Sequence, residues 1–133
     1  MAEQYWYTAK VLKVIDGDTL DVMIDLGFSI HHKARVRLYG VNTPESRTKD
    51  LAEKEMGLKA KSFTSDWTTR HSIVFLKTIA GKDDKYGRVL AQIYSDKDVK
   101  SELTACLNQD IVSSGYAREY YGQGDKTWEE FKK

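Results

Sequence analysis

A chain of 133 residues fits one domain of common size, spanning 1–133. Its 41% hydrophobic and 31% charged residues suit a packed globule and exclude a disordered or membrane-embedded chain. Lys and Arg number 21 against 20 Asp and Glu, a net charge of +1, so any attraction for a polyanion must come from locally gathered arginine and lysine. No apolar run approaches the ~18 residues of a membrane span, residues 1–10 lack an apolar signal core, and the lone Cys106 excludes an internal disulfide. The expectation is a monomer in a reducing cytoplasm with no membrane partner.

In chain order, Tyr5 to Ile15 is rich in aromatic and β-branched residues and stops at Asp16-Gly17-Asp18, a strong turn signal. Leu20, Val22, Ile24 and Leu26 then alternate with Asp21, Met23 and Asp25, which predicts the second strand of a hairpin ending at Gly27. A third strand is predicted over His31 to Val41, with Val36 and Leu38 on one face and Arg35, Arg37 and Tyr39 on the other. Pro44 breaks it, and Glu45 to Gly57, polar and without period, reads as a mobile loop. Ala60, Phe63, Thr64 and Trp67 recur at helical spacing and predict a helix that decays at Thr69-Arg70-His71. Ile73 to Ile79 and Val89 to Tyr94 are the fourth and fifth strands, joined by a charged, glycine-containing loop. Leu103, Leu107, Ile111 and Val112 predict a second helix over Leu103 to Ser114, ended by Gly115, and a short final helix is expected around Trp128 and Phe131. This order predicts an α+β, mainly β fold: a five-stranded Greek-key barrel of the oligonucleotide-binding (OB) type with two to three helices.

Three clusters carry candidate chemistry: Ile15-Asp16-Gly17-Asp18-Thr19, Arg37-Leu38-Tyr39-Gly40-Val41-Asn42-Thr43-Pro44-Glu45, and Asp84-Lys85-Tyr86-Gly87-Arg88. In this order and spacing, from about Val11 to Tyr121, they resemble the staphylococcal nuclease (thermonuclease) family. The resemblance implies a calcium-dependent phosphodiesterase acting on DNA or RNA, single-stranded by preference, and leaving 3′-phosphates. It implies Asp18, Asn42 and the main-chain carbonyl of Thr43 as calcium ligands, Glu45 as base, and Arg37 and Arg88 as phosphate clamps. Lys85, Tyr86 and Tyr121 line the nucleotide site by the same resemblance. Magnesium or manganese is the alternative ion, since a cytosol holds little free calcium.

Residue chemistry agrees independently. Oxygen donors at the ends of two strands suit a hard cation, and arginine forks contact two phosphate oxygens at once while keeping their charge at any ordinary pH. One departure from the family pattern is Asn42, where the nucleases carry an aspartate. A unit charge ~4 Å from another is worth about 4 kcal/mol at an effective dielectric of ~20. If half of that survives screening, divalent affinity falls roughly 30-fold. Asp16 and Asp21 are near enough in sequence to supply replacement charge. Asn42 also keeps a second reading open: a catalytically silent OB module that binds nucleic acid or a protein partner.

The other polar and aromatic residues have plainer readings. Arg35 reads as a solvated strand residue, and the adjacent His31 and His32 point to opposite faces and so share no metal. Cys106 reads as a small core residue, and Trp6, Trp67 and Trp128 read as packing residues.

Overall fold

The period-two alternation of the first forty residues becomes a barrel wall. The computed structural model describes residues 4–83, 88–98 and 100–120. Lys85, Tyr86, Tyr121 and the expected final helix lie outside them. Strands β1 (Gln4–Asp16), β2 (Thr19–Asp25) and β3 (His31–Leu38) form an antiparallel meander, followed by the short β4 (Val41–Asn42). Helix α1 (Leu51–Arg70) leads into β5 (Ile73–Asp83) and β6 (Val89–Tyr94), then α2 (Leu107–Ser113) and β7 (Arg118–Glu119). The five long strands close in the order β1-β2-β3-β6-β5, with β5 returning to β1. The β3–β6 pairing is parallel and the others are antiparallel. This is the expected mainly β, OB-type barrel. Beside it, β4 and β7 pair as a separate two-stranded sheet.

Inward residues of each strand meet in the core: Leu20 pairs with Val36, and Leu38 with Ala91, all fully buried. Val74, Leu76 and Ile93 complete the barrel interior. Helix α1 adds Ala60 and Trp67, and α2 adds Leu107 and Ile111. The two helices are joined where Trp67 Nε1 donates to Asp110 Oδ2 at 2.9 Å. No helix among the described residues is long and apolar enough to cross a membrane.

Four sequence expectations change. The third strand stops at Leu38, because the chain turns at Tyr39-Gly40 before entering β4. Helix α1 starts at Leu51, well inside the stretch read as a loop. Asp50 caps it, its Oδ1 accepting from the Ala52 N–H (3.1 Å) and the Glu53 N–H (3.2 Å), the arrangement that satisfies orphan donors at a helix start. Helix α2 is shorter than predicted, since Leu103 is 94% exposed and contributes nothing to the core. Strand β5 runs on to Asp83, past its expected end at Ile79 and into the stretch read as a charged loop.

Candidate functional site

The β1–β2 turn and the end of β3 meet at one rim of the barrel. Thr19 pairs with Arg37 across β2 and β3, and the Leu38 N–H donates to the Asp18 carbonyl at 2.9 Å. That register sets the Arg37 guanidinium beside Asp18. Its Nη2 lies 3.4 Å from Asp18 Oδ2 and donates to Asn42 Oδ1 at 3.3 Å. Its Nη1 donates to the carbonyls of Val41 (2.7 Å) and Leu38 (3.1 Å). Asp18 is held from two further directions, by the Thr19 hydroxyl on Oδ1 (2.9 Å) and the Thr43 N–H on Oδ2 (3.2 Å). Asp18, Arg37, Asn42 and Thr43 thus form one hydrogen-bonded cluster, drawn from three chain segments.

Arg35 lies on the same outward face of β3 and has a different surrounding. Its side chain is 51% exposed against 16% for Arg37, and it forks onto Asp21, Nε to Oδ1 at 2.9 Å and Nη2 to Oδ2 at 3.3 Å. The hydrogen bond from Arg35 holds the Asp21 carboxyl below its usual range and outweighs the burial that would raise it. Asp21 is therefore committed to Arg35. The other nearby carboxylate, Asp16, accepts from the Ser46 hydroxyl.

Glu45 is exposed and lies two residues beyond Thr43. Its backbone is held: the Glu45 N–H donates to Glu53 Oε2 on the first turn of α1 at 3.1 Å. A Cβ at Gly57 would lie 2.4 Å from the Glu45 carbonyl oxygen and 2.6 Å from the Ser46 nitrogen, so α1 approaches this loop closer than any side chain permits. Gly17 is enclosed in the same way, with Ala60 Cβ 2.8 Å and Thr43 Cγ2 3.0 Å from where its own Cβ would be. The Thr64 hydroxyl of α1 donates to the Gly17 carbonyl at 2.6 Å. Arg88, half-buried, directly precedes the Val89–Val36 pair on the strand beside Arg37.

Sequence reasoning overlooked Ser46, Glu53, Gly57 and Asn108. Buried Asn108 of α2 donates to the carbonyls of Tyr39 (3.0 Å) and Ala91 (3.1 Å) and accepts from the Ile93 N–H (3.0 Å), which pins the turn leading into β4. Gly57 closed the aperiodic stretch read as a loop, so no helical pattern marked it as a point of close packing. The others act through contacts between distant parts of the chain.

The side-chain donors that a cation would meet at this rim are oxygens: the Asp18 carboxylate and the Asn42 amide oxygen. Thr43 Oγ1 beside them is buried with no hydrogen-bond partner among the described residues. Hard oxygen donors fit a divalent cation such as calcium. Among the described residues no three His, Cys, Asp or Glu side chains gather to hold an ion, and Asp18 is the carboxylate of this hydrogen-bonded cluster. Beside it stands an arginine with a fixed guanidinium, suited to phosphate oxygens.

The chain matches the staphylococcal nuclease homologue family over residues 35–133. An uncharacterised protein of Methanocaldococcus jannaschii is 34% identical over 133 residues, covering 86% of this chain. The thermonuclease of Staphylococcus hyicus is 29% identical over 123 residues, covering 92%. The micrococcal nuclease of Shigella flexneri is 28% identical over 122 residues, covering 88%. These matches span 59%, 65% and 62% of the respective relatives. With the family matched from within β3 through to the last residue, well over half of the chain, the chain belongs to the staphylococcal nuclease homologues.

Proposed function

We propose that this domain is a metal-dependent phosphodiesterase that cuts DNA or RNA, single-stranded by preference. Asp18, Asn42 and the Thr43 carbonyl hold a calcium ion, or magnesium or manganese in its place. The observation that carries the reading is Arg37, a largely buried guanidinium fixed by two carbonyls and turned toward Asp18 and Asn42. In a family whose members include a thermonuclease and a micrococcal nuclease by name, such a cluster supports attack on a phosphodiester.

When bound, the cation supplies positive charge beside the phosphate and acidifies neighbouring water. Arg37 and Arg88 fork onto the non-bridging oxygens and stabilise the negative charge that grows there in the transition state. Glu45, its backbone anchored by Glu53, orients the attacking water or takes its proton. Attack in line expels the 5′ oxygen and leaves a 3′-phosphate. Lys85, Tyr86 and Tyr121 bind the nucleotide. The test is release from a fluorogenic single-stranded oligonucleotide by the full chain with calcium, beside Glu45→Ala and Arg88→Ala. Metal-dependent release that falls about 10²-fold or more in each variant is expected. No metal-dependent release, or equal release from all three proteins, overturns the proposal.

Asn42 favours a second reading, a silent binding module, because a neutral amide stands where the family's nucleases carry an acid. Asn42→Asp separates the two. A gain in cleavage from nothing marks a silenced site. A working enzyme instead needs up to roughly 30-fold less metal after the same change.

A further inference from the structure

Far from the Asp18 rim, the outer wall of β1, β5 and β6 carries aromatic side chains and lysines. Trp6 pairs with Lys77, Thr8 with Phe75, and Phe75 with Tyr94. A cavity of about 360 Å³ opens there, lined by Trp6, Tyr7, Thr8, Phe75 and Lys97, within the ~300–1,000 Å³ of small-ligand pockets. Trp6 is 43% exposed and stands 5.4 Å from the Tyr94 ring, centroid to centroid. Lys77 Nζ lies 5.7 Å from the Trp6 ring, and Lys97 Nζ lies 5.7 Å from the Phe75 ring. Among the described residues neither ammonium is in an ion pair. The nearby Asp96 and Asp98 carboxylates accept N–H groups of their own loop, from Asp98 (3.4 Å) and Lys100 (3.1 Å).

Aromatic faces flanked by unpaired cations match the two parts of a nucleotide: a base that stacks and a phosphate that needs positive charge. An apolar peptide would leave both lysines unused. We propose that this cleft is a second binding site for single-stranded nucleic acid, holding a base against Trp6 and Phe75 with phosphates on Lys77 and Lys97. The proposal rests on the reading above that nucleic acid is the substrate. Trp6 and Asp16 lie near opposite ends of β1, ten residues apart, at most about 30 Å at the ~3.3 Å rise of a strand, and less where β1 bulges. A stacked single strand covers that in about nine nucleotides at ~3.4 Å each, and in fewer when drawn out. Long substrates therefore reach both sites and dinucleotides reach one.

The test is fluorescence anisotropy of a 16-nucleotide single strand with the full chain in EDTA, together with metal-dependent cleavage of a dinucleotide reporter. Trp6→Ala and Lys97→Glu are each expected to weaken 16-nucleotide binding about 10-fold and to leave dinucleotide cleavage unchanged. Lys97 sits exposed in a loop, so its variant keeps the test valid if Trp6→Ala folds poorly. Affinity within about twofold of the parent in both variants overturns the proposal. A parent protein that cuts nothing but shows the Trp6-dependent affinity supports the cleft and removes the nuclease reading.

Discussion

Two hairpin turns of the same three-stranded meander have opposite surroundings. The β1–β2 turn at Gly17 is buried under α1. Ala60 and Thr43 press on Gly17, Thr64 binds its carbonyl, and Asp16 and Asp18 are held by Ser46 and Thr43. The β2–β3 turn at Gly27 has nothing within 4 Å of where a Cβ would sit. It presents Phe28 at 97% exposure, with Phe28 and Ser29 both at positive φ (55° and 62°). Both are short glycine turns between alternating strands. What separates them is the tertiary structure laid over the first, and that covering brings oxygen donors and an arginine together. The exposed turn gathers none.

Substitutions can break or sharpen this contrast. The largest effect is expected at Gly57, which lets α1 lie against the Glu45-Ser46 peptide. Gly57→Ala gains about 1 kcal/mol in helix propensity but drives a Cβ into backbone that cannot yield. A net loss of about 1–3 kcal/mol, read as a lower Tm or denaturant midpoint, is expected together with reduced cleavage. Gly27→Ala meets no atoms, and only its backbone at φ 80° resists. It should cost about 1 kcal/mol and leave cleavage intact. If it lowered cleavage as Gly57→Ala does, the contrast would fail.

Between the two turns, the Arg35–Asp21 pair gives a smaller, pH-dependent effect. The Asp21 pKa is lowered in the folded protein. Its contribution is therefore full above the ordinary value of 3.8 and fades as pH falls through the lowered one. Arg35→Gln should destabilise by at most ~1 kcal/mol near neutrality, since the arginine is half exposed. Acid melts should show that difference closing below pH 3.8. A gap that widens on acidification would contradict the assignment. Smallest of all, Phe28→Ser should change stability by no more than ~0.5 kcal/mol in either direction, measured by urea melts.

Alternation made the barrel legible, because a half-buried strand must place apolar residues on one side. Leu20, Val22, Val36 and Leu38 are all inside as read. The start of α1 was hidden because its first turns bury little. Leu51 is 79% exposed and Leu58 48%, so no apolar stripe marks them, and the Asp50 cap sits inside a polar run. Arg35 and Arg37 were assigned different roles through family resemblance. Alternation alone gives them the same face, and the physical difference between them comes from β4 folding back to offer the Val41 carbonyl and the Asn42 amide. Glu53 and Asn108 were illegible for a similar reason, since their partners are eight to 69 residues away along the chain.

The most direct measurement compares cleavage of a single-stranded oligonucleotide by Arg37→Ala and Arg35→Ala in the presence of calcium. Both variants remove one arginine from the same face of the same strand. The rate should fall about 10²–10³-fold for Arg37→Ala and stay within a few-fold of the parent for Arg35→Ala. Equal losses, or a rate untouched by Arg37→Ala, would contradict the assignment of the site to the cluster around Asp18.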